Sequence, residues 1–218
     1  MRYMVFVLGF FMSLVVSAQD NVKPVAKSKS FIEGKHYTVL SNAVPTITGD
    51  KIEVTEVFRY GCGACYAFEK PINAWKKTLA DDVELVKNPV IWNKDTAIRA
   101  RVYFTGQALG VGEKVSANIF NGIHAQGNKR AFLKEDETAA MFATLDIDNA
   151  KFTKMYNNFV VTSKVNQADA RSRSFAVAGT PEMFVDGKYR ITVNSAGSQA
   201  GMLEVADFLI AKIRAEKK

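Results

Sequence analysis

Apolar residues in the first half of the chain gather in short runs that predict β-strands. The segment KIEVTEVFRY, residues 51–60, is rich in β-branched and aromatic residues that alternate in part with polar ones, a pattern typical of a largely buried strand. DVELVKNPV, residues 82–90, has the same character, and the shorter HYTVL, residues 36–40, predicts an edge strand. Between the two longer strands, apolar side chains recur at spacings of three and four, which predicts a helix over residues 62–78 with a kink at Pro71.

The middle of the chain, from about residue 92 to residue 161, has helical periodicity and no convincing strand. Glycines separate the helical stretches. The predicted helices cover residues 96–109, 114–120, 129–135, 137–145 and 151–158. We therefore predict an all-helical subdomain at residues 92–161, inserted between two parts of an α/β domain at residues 36–91 and 162–218.

The strand pattern returns after a longer predicted helix over residues 161–175. In TPEMFVDGKYRITV, residues 180–193, the dipeptide Asp186-Gly187 separates two β-rich runs, which is a strong short-range signal for a hairpin. The final stretch, residues 200–218, has the pattern of an amphipathic helix whose basic end complements the helix dipole.

The first 18 residues, MRYMVFVLGFFMSLVVSA, have the pattern of a secretory signal peptide, with one basic residue, an uncharged apolar run and small residues before Ala18. A membrane anchor is the alternative, but the apolar run is shorter than the roughly 20 residues that span a bilayer. We therefore expect cleavage after Ala18 and export of the chain. The polar segment that follows predicts a flexible leader over residues 19–35.

Composition narrows the classes of function. A chain of 218 residues with 48% hydrophobic residues suits one domain, or one domain with an insertion, around a packed core. The net charge of +7 comes from dispersed basic residues, without the basic stripe that would favour nucleic-acid binding. With only two cysteines, an exported chain has no separate structural disulfide and depends on that core. Nothing in the sequence requires more than a monomer.

Both cysteines, Cys62 and Cys65, lie in GCGAC where the predicted strand meets the predicted helix. A disulfide between them would close too short a loop to stabilise the fold much. A zinc site needs four ligands, and the two histidines, His36 and His124, are far from the pair in sequence, so we expect no metal site. The remaining chemistry is redox exchange between dithiol and disulfide.

The start of a helix favours a thiolate, because unsatisfied backbone N–H groups and the positive end of the helix dipole face the sulfur. We therefore assign Cys62 as the exposed nucleophile, with Gly61 and Gly63 giving it little side-chain cover. Cys65, one turn further on, is predicted to be the shielded resolving thiol.

The order of strand, Cys-x-x-Cys, helix, strand, helical insertion, Pro-led hairpin and helix resembles the thioredoxin fold, and the insertion makes the chain similar to the DsbA family of periplasmic thiol oxidoreductases. CGACYAFE after a strand and GTPEMFVDGKYRI near the C-terminus carry the resemblance. It implies an α/β thioredoxin-like fold and a periplasmic enzyme, without a cofactor, that introduces disulfides into reduced, unfolded exported proteins. It also implies re-oxidation by a membrane quinone-linked partner similar to DsbB.

The resemblance further implies roles for residues around the cysteines. Pro181 would have a cis peptide bond and lie against the active-site disulfide, and Thr180 would place its hydroxyl near the sulfurs. Glu56 would be a buried acid that helps to move the proton on or off Cys65. Lys87, which matches no position of the family pattern, is a candidate partner for Glu56 from the sequence alone. The alternative for Glu56 is a solvent-facing strand acid.

The dipeptide Gly63-Ala64 departs from the Pro-His of familiar members of the family. Neither side chain can stabilise the Cys62 thiolate by charge or hydrogen bonding, so we expect a weaker oxidant than a Pro-His member. Two other functions stay open. One is a reductase or isomerase that is kept reduced, although the segment before His36 is short for an isomerase's dimerisation domain. The other is a non-enzymatic protein that binds peptides or carries Cu(I) on two thiolates.

Overall fold

The computed structural model describes residues 30–217. The predicted signal peptide and the predicted leader up to residue 29 lie outside this range. In the remainder of the predicted leader, Phe31 packs edge-on against His36 and Phe208, with ring centroids 5.4 and 5.6 Å away, so packed structure begins before residue 36. No helix within residues 30–217 is long and apolar enough to cross a membrane.

A mixed sheet forms the centre of the α/β part. Its strands are β1 (Thr38–Val39), β2 (Ile52–Phe58), β3 (Val83–Pro89), β4 (Glu182–Val185) and β5 (Tyr189–Thr192). They lie in the order β1-β5-β4-β2-β3, with β2 parallel to β3 and antiparallel to β4. All seven residues of β2 are buried, as expected for an inner strand that is covered on both faces.

Eight helices occur within the described part of the chain. They are α1 (Gly63–Lys76), α2 (Lys94–Ala108), α3 (Gly112–His124), α4 (Glu135–Ala143), α5 (Asn149–Tyr156), α6 (Phe159–Ser174), α7 (Val193–Ala196) and α8 (Gln199–Glu216). α1 runs through Pro71 without a break. It packs with α8 on one face of the sheet around Val54, Ile72 and Leu209, while Phe175 stacks on Phe184 at the opposite face with a centroid distance of 4.1 Å.

Helices α2 to α5 follow β3 in the chain, as the sequence pattern predicts. Their apolar residues, among them Val102, Phe120 and Phe152, share one core cluster with Cys62 and Cys65. The helical region therefore packs directly against the segment that carries the cysteines, and the cysteines lie between it and the sheet.

The predicted helix at residues 129–135 is wrong. The residues before Glu135 form turns, and Phe132 has a φ of 59°, which a right-handed helix does not allow. The buried guanidinium of Arg99 donates to the carbonyl oxygens of Lys129 and Ala131 at 2.7 and 3.2 Å. These carbonyl groups are thus bonded to a side chain from another helix instead of to a local helical turn.

The predicted hairpin is confirmed. Asp186 and Gly187 have φ values of 51° and 66°, the positive angles that a tight two-residue turn between twisted strands requires. A Cβ atom at Gly187 would lie 1.9 Å from the carbonyl oxygen of Val44, so the position also needs glycine for space. On its other side β4 pairs with β2, and the first residue of β4 follows Pro181.

Candidate active site

Cys62 is the N-cap residue of α1, and its backbone is extended, with φ −97° and ψ 116°. The Cys62 sulfur accepts a hydrogen bond from the backbone N–H of Cys65 at 3.3 Å. Cys62 is 8% exposed and Cys65 is 0% exposed. The prediction that Cys65 is shielded is confirmed, whereas the prediction that Cys62 is exposed is wrong. Cys62 is covered despite its flanking glycines, because it packs within the core cluster of the helical region.

The two thiols have opposite proton affinities. The pKa of Cys62 is lowered to about 5, mainly because the Cys65 thiol donates a hydrogen bond to the Cys62 thiolate, with the Thr180 side chain and the backbone N–H groups of Ala64 and Cys65 adding to the effect. The same bond and burial raise the pKa of Cys65 well above its ordinary value. At neutral pH the reduced site therefore holds a thiolate at Cys62 and a thiol at Cys65. No side chain of the Gly63-Ala64 dipeptide is needed for this.

The loop before β4 lies against Cys62. When the Cys62 thiol is protonated it donates to the Thr180 carbonyl oxygen, 3.2 Å away. The Thr180-Pro181 peptide bond is cis, as the resemblance implied. The loop thus places both a carbonyl oxygen and the side chain of Thr180 at the sulfur of the predicted nucleophile.

Glu56 lies on β2 and is fully buried, so the solvent-facing alternative is wrong. Its Oε2 atom is 3.3 Å from the ammonium of Lys87, which also forms an ion pair with Glu69 on α1. Burial raises the pKa of Glu56 to about 7, with Lys87 opposing the shift and Glu69 adding to it. Burial alone would lower the pKa of Lys87, but the two carboxylates raise it. The Cys62 thiolate also raises the pKa of Glu56, so Glu56 and the site are electrostatically linked.

We expect Glu56→Gln to change how stability depends on pH. Because the Glu56 pKa is higher in the folded protein than its ordinary 4.5, the folded state binds more protons between pH 4.5 and 7, and stability falls as pH rises through this window. For a shift of this size the loss is about 3 kcal/mol. Cys62 contributes with the opposite sign in the reduced protein, because its pKa is lowered to about 5, so the comparison between the two proteins is what isolates Glu56. Denaturant unfolding of both reduced proteins at several pH values should show the wild type losing this stability relative to Glu56→Gln as pH rises.

The matched control is Glu84→Gln on β3, because Glu84 is a half-exposed carboxylate paired with Lys51 at 3.4 Å. The control should keep the pH profile of the wild type. Profiles for Glu56→Gln and the wild type that run parallel from pH 4.5 to 7 would show that Glu56 does not titrate as described.

Comparisons with known proteins give the family. The sequence profile of the DSBA-like thioredoxin domain matches residues 91–204. The thiol:disulfide interchange protein DsbA of Pseudomonas aeruginosa is 36% identical over 193 residues, 88% of this chain and 90% of that protein. The chain belongs to the DsbA family. The DsbA of Pseudomonas syringae pv. tomato is 40% identical over 85% of this chain and 86% of its own length.

Solved structures agree with this family. The crystal structure of Pseudomonas aeruginosa DsbA superposes with a TM-score of 0.80 at 36% identity, covering 86% of this chain and 97% of that one. The DsbA oxidoreductase of Xylella fastidiosa gives a TM-score of 0.76 at 27% identity, over 84% and 97% of the two chains. The predicted thioredoxin-like fold with a helical insertion is thus confirmed, and the chain is an oxidoreductase of the DsbA type.

Sequence reasoning missed several residues that contact the DsbA-type site. Gln199, the first residue of α8, donates to the Ala64 carbonyl oxygen at 2.6 Å. The His124 ring lies 2.7 Å from the Tyr60 carbonyl oxygen and stacks on Tyr66 with a centroid distance of 4.9 Å. These contacts join segments more than 50 residues apart, so no local pattern predicts them. Glu69 could have been found from the sequence. It lies four residues after Cys65 in the same predicted helix, and side chains at this spacing are neighbours on one helix face.

Proposed function

We propose that this DsbA family protein, in its oxidised form, transfers the Cys62-Cys65 disulfide to reduced, unfolded exported proteins. The observation that carries the proposal is the different setting of the two cysteines: the Cys62 sulfur lies at the start of α1 and accepts from the Cys65 backbone N–H, whereas Cys65 is 0% exposed. Accordingly, the pKa of Cys62 is lowered to about 5 and that of Cys65 is raised. A stabilised Cys62 thiolate favours the dithiol form of the protein, so its disulfide is the stronger oxidant.

The exchange proceeds in two steps that balance in atoms and electrons. A substrate thiolate attacks the Cys62 sulfur, the Cys62-Cys65 bond breaks, and Cys65 leaves and takes a proton. A second substrate thiolate then attacks the substrate sulfur of the mixed disulfide, and Cys62 leaves as a thiolate. Two substrate thiols are oxidised to a disulfide and the enzyme disulfide is reduced to the thiolate-thiol pair.

Glu56 is the proposed proton donor and acceptor for Cys65. A carboxyl with a pKa of about 7 is close to the pKa that proton transfer at neutral pH requires. Lys87 lies between Glu56 and Glu69 and balances the charge of the pair when Glu56 gives up its proton. The assignment of Thr180, Pro181, Gly63 and Ala64 as supporting residues is part of the same proposal.

The cellular setting follows from the proposed activity and from the N-terminal pattern. We place the protein in the periplasm as a monomer, exported by a signal peptide cleaved after Ala18. A DsbB-like membrane quinone reductase would restore the disulfide after each cycle. We also propose that the helical subdomain at residues 92–161 lies between two thioredoxin-like parts, of which the first begins before residue 36.

The direct test is transfer from the oxidised protein to a reduced, unfolded protein in a buffer without other oxidants. We expect one disulfide to appear in the substrate for each Cys62-Cys65 bond lost, and no transfer by Cys62→Ser. Acid trapping of thiols in cells then separates an oxidase from a reductase. If the protein is an oxidase, Cys62 and Cys65 should be found mainly as the disulfide. If they are found mainly as the dithiol, the protein is a reductase or isomerase.

A further inference from the structure

Glu182 is a buried carboxylate directly after Pro181, at the first position of β4. It is 4% exposed and lies opposite Thr192 of β5 and Val57 of β2 in the sheet. Its Oε1 atom accepts from the guanidinium of Arg190 at 2.7 Å. Because Arg190 lies two residues before Thr192 on β5, Glu182 and Arg190 are diagonal neighbours on one face of the hairpin.

The same Oε1 atom reaches back to the catalytic loop. It accepts from the backbone N–H of Gly179 at 2.9 Å. Gly179 precedes Thr180, whose carbonyl oxygen lies 3.2 Å from the Cys62 sulfur. A continuous set of contacts therefore runs from Arg190 through Glu182 and Gly179 to the nucleophile.

Fold stability alone does not explain this arrangement. Buried ion pairs contribute little net stability, and well-packed apolar residues of similar volume often serve as well or better. An apolar side chain at position 182 would, however, leave the Gly179 N–H without its acceptor. A carboxylate fixed by a counter-ion supplies an acceptor with a fixed position, which is what the loop that carries Thr180 requires.

We propose that Glu182, with Arg190 as its counter-ion, is a positioning residue for disulfide exchange that holds the Gly179-Thr180 backbone against Cys62. The inference rests on the proposed role of Cys62 as the nucleophile. Through this contact the Thr180 hydroxyl stays within reach of the thiolate and the Thr180 carbonyl stays within reach of the thiol. The hydrogen bond from the hydroxyl to the thiolate is the stronger of these two contacts, because its acceptor is ionised. Loss of the loop anchor should therefore destabilise the thiolate.

Two charge-balanced double variants isolate the hydrogen bond to Gly179. Glu182→Leu/Arg190→Leu removes the acceptor and both charges, so the net charge near Cys62 does not change. Glu182→Gln/Arg190→Gln also removes both charges but keeps a side-chain oxygen for the Gly179 N–H. Only the first should disturb the site.

A matched control exists at the other end of β2. Glu53 is fully buried, accepts from the backbone N–H of Ile47 at 2.7 Å, and pairs with Arg171 at 2.5 Å. Like Glu182, it joins a backbone N–H to an arginine, although through its two different oxygens, and it lies away from the Gly179-Thr180 loop. Glu53→Leu/Arg171→Leu leaves the Ile47 N–H without its acceptor, so it should lower the unfolding midpoint in denaturant while leaving the chemistry of Cys62 unchanged.

The readouts are the midpoint pH of Cys62 thiolate formation, followed by absorbance at 240 nm, and the equilibrium constant with glutathione. For Glu182→Leu/Arg190→Leu we expect the midpoint to rise and the equilibrium to shift about three- to tenfold toward a weaker oxidant, which is the effect of one hydrogen bond. For Glu182→Gln/Arg190→Gln, both the midpoint pH and the equilibrium constant should lie close to the wild-type values. The Glu53 control should match the wild type in both.

Wild-type values for both readouts in the leucine pair would overturn the inference. If the leucine pair does not fold, hydrogen exchange in the wild-type protein decides the matter, because a Gly179 amide that exchanges without protection would equally overturn it. The proposed function is tested separately, since a wild-type protein that transfers no disulfide would contradict it. If the wild type transfers disulfides and Glu182→Leu/Arg190→Leu matches it in both readouts, only the role of Glu182 is contradicted.

Discussion

Replacing Cys65 with serine should convert the protein from a catalyst into a trap that accumulates mixed disulfides with exported proteins. Without Cys65 the protein cannot form its own disulfide, so it enters adducts by attack of the Cys62 thiolate, at the start of α1, on a disulfide of an exported protein. The intramolecular route back, in which Cys65 attacks the Cys62 sulfur of the mixed disulfide and expels the substrate thiol, is lost. Turnover should fall below detection, and non-reducing gels should show adducts that disappear on reduction.

The matched variant is Cys62→Ser. The substitution removes the Cys62 sulfur, which is the main cause of the raised Cys65 pKa, but burial still raises it and Cys65 is 0% exposed. Cys65 should therefore form no adducts and react with no alkylating agent at neutral pH. Adducts in Cys62→Ser together with none in Cys65→Ser would reverse the assignment of nucleophile and resolving thiol.

Replacing Gly63-Ala64 by Pro-His should make the protein a markedly stronger oxidant. Both residues are exposed, and a Cβ atom at Gly63 would meet nothing within 4 Å, so the larger side chains fit. Gly63 is the first residue of α1, where proline is well tolerated. A histidine near the sulfur should lower the Cys62 pKa below its present value of about 5 and shift the equilibrium with glutathione about tenfold, or about 30 mV.

Gly63→Pro with Ala64 retained is the control that separates the histidine from the rigid ring. It should stay near the wild-type potential if the histidine causes the change. Equal potentials for the wild type and the Pro-His variant would mean that the dipeptide does not set the redox balance. Arg59, Tyr60 or Thr180 would then be the residues to examine.

The parts of the fold that the sequence predicts are those with local physical causes. β2, β3 and α1 follow from apolar periodicity, and the turn at Asp186-Gly187 follows from residues that accept positive φ angles. The position of Cys62 as N-cap of α1 follows from the meeting of a strand pattern and a helix pattern. For this reason the cysteine chemistry could be predicted before any coordinates.

The errors and omissions arise where contacts distant in sequence decide the outcome. The 129–135 segment has helical composition, but Arg99 from α2 takes two of its carbonyl groups. Cys62 is more buried than its neighbours imply, because the helical region packs against it. Glu182 looks like an ordinary strand residue until Gly179 and Arg190 are seen at its Oε1 atom. Hydrophobic periodicity carries no information on such pairings.

The state of the two thiols is tested by the pH dependence of alkylation of the reduced protein, with the labelled cysteine identified by mass spectrometry. Because Cys62 carries a thiolate beside the thiol of Cys65, we expect labelling of Cys62 with a midpoint near pH 5 and no labelling of Cys65 at neutral pH. Labelling of Cys65 first, or a Cys62 midpoint near the ordinary thiol value of 9, would contradict this expectation.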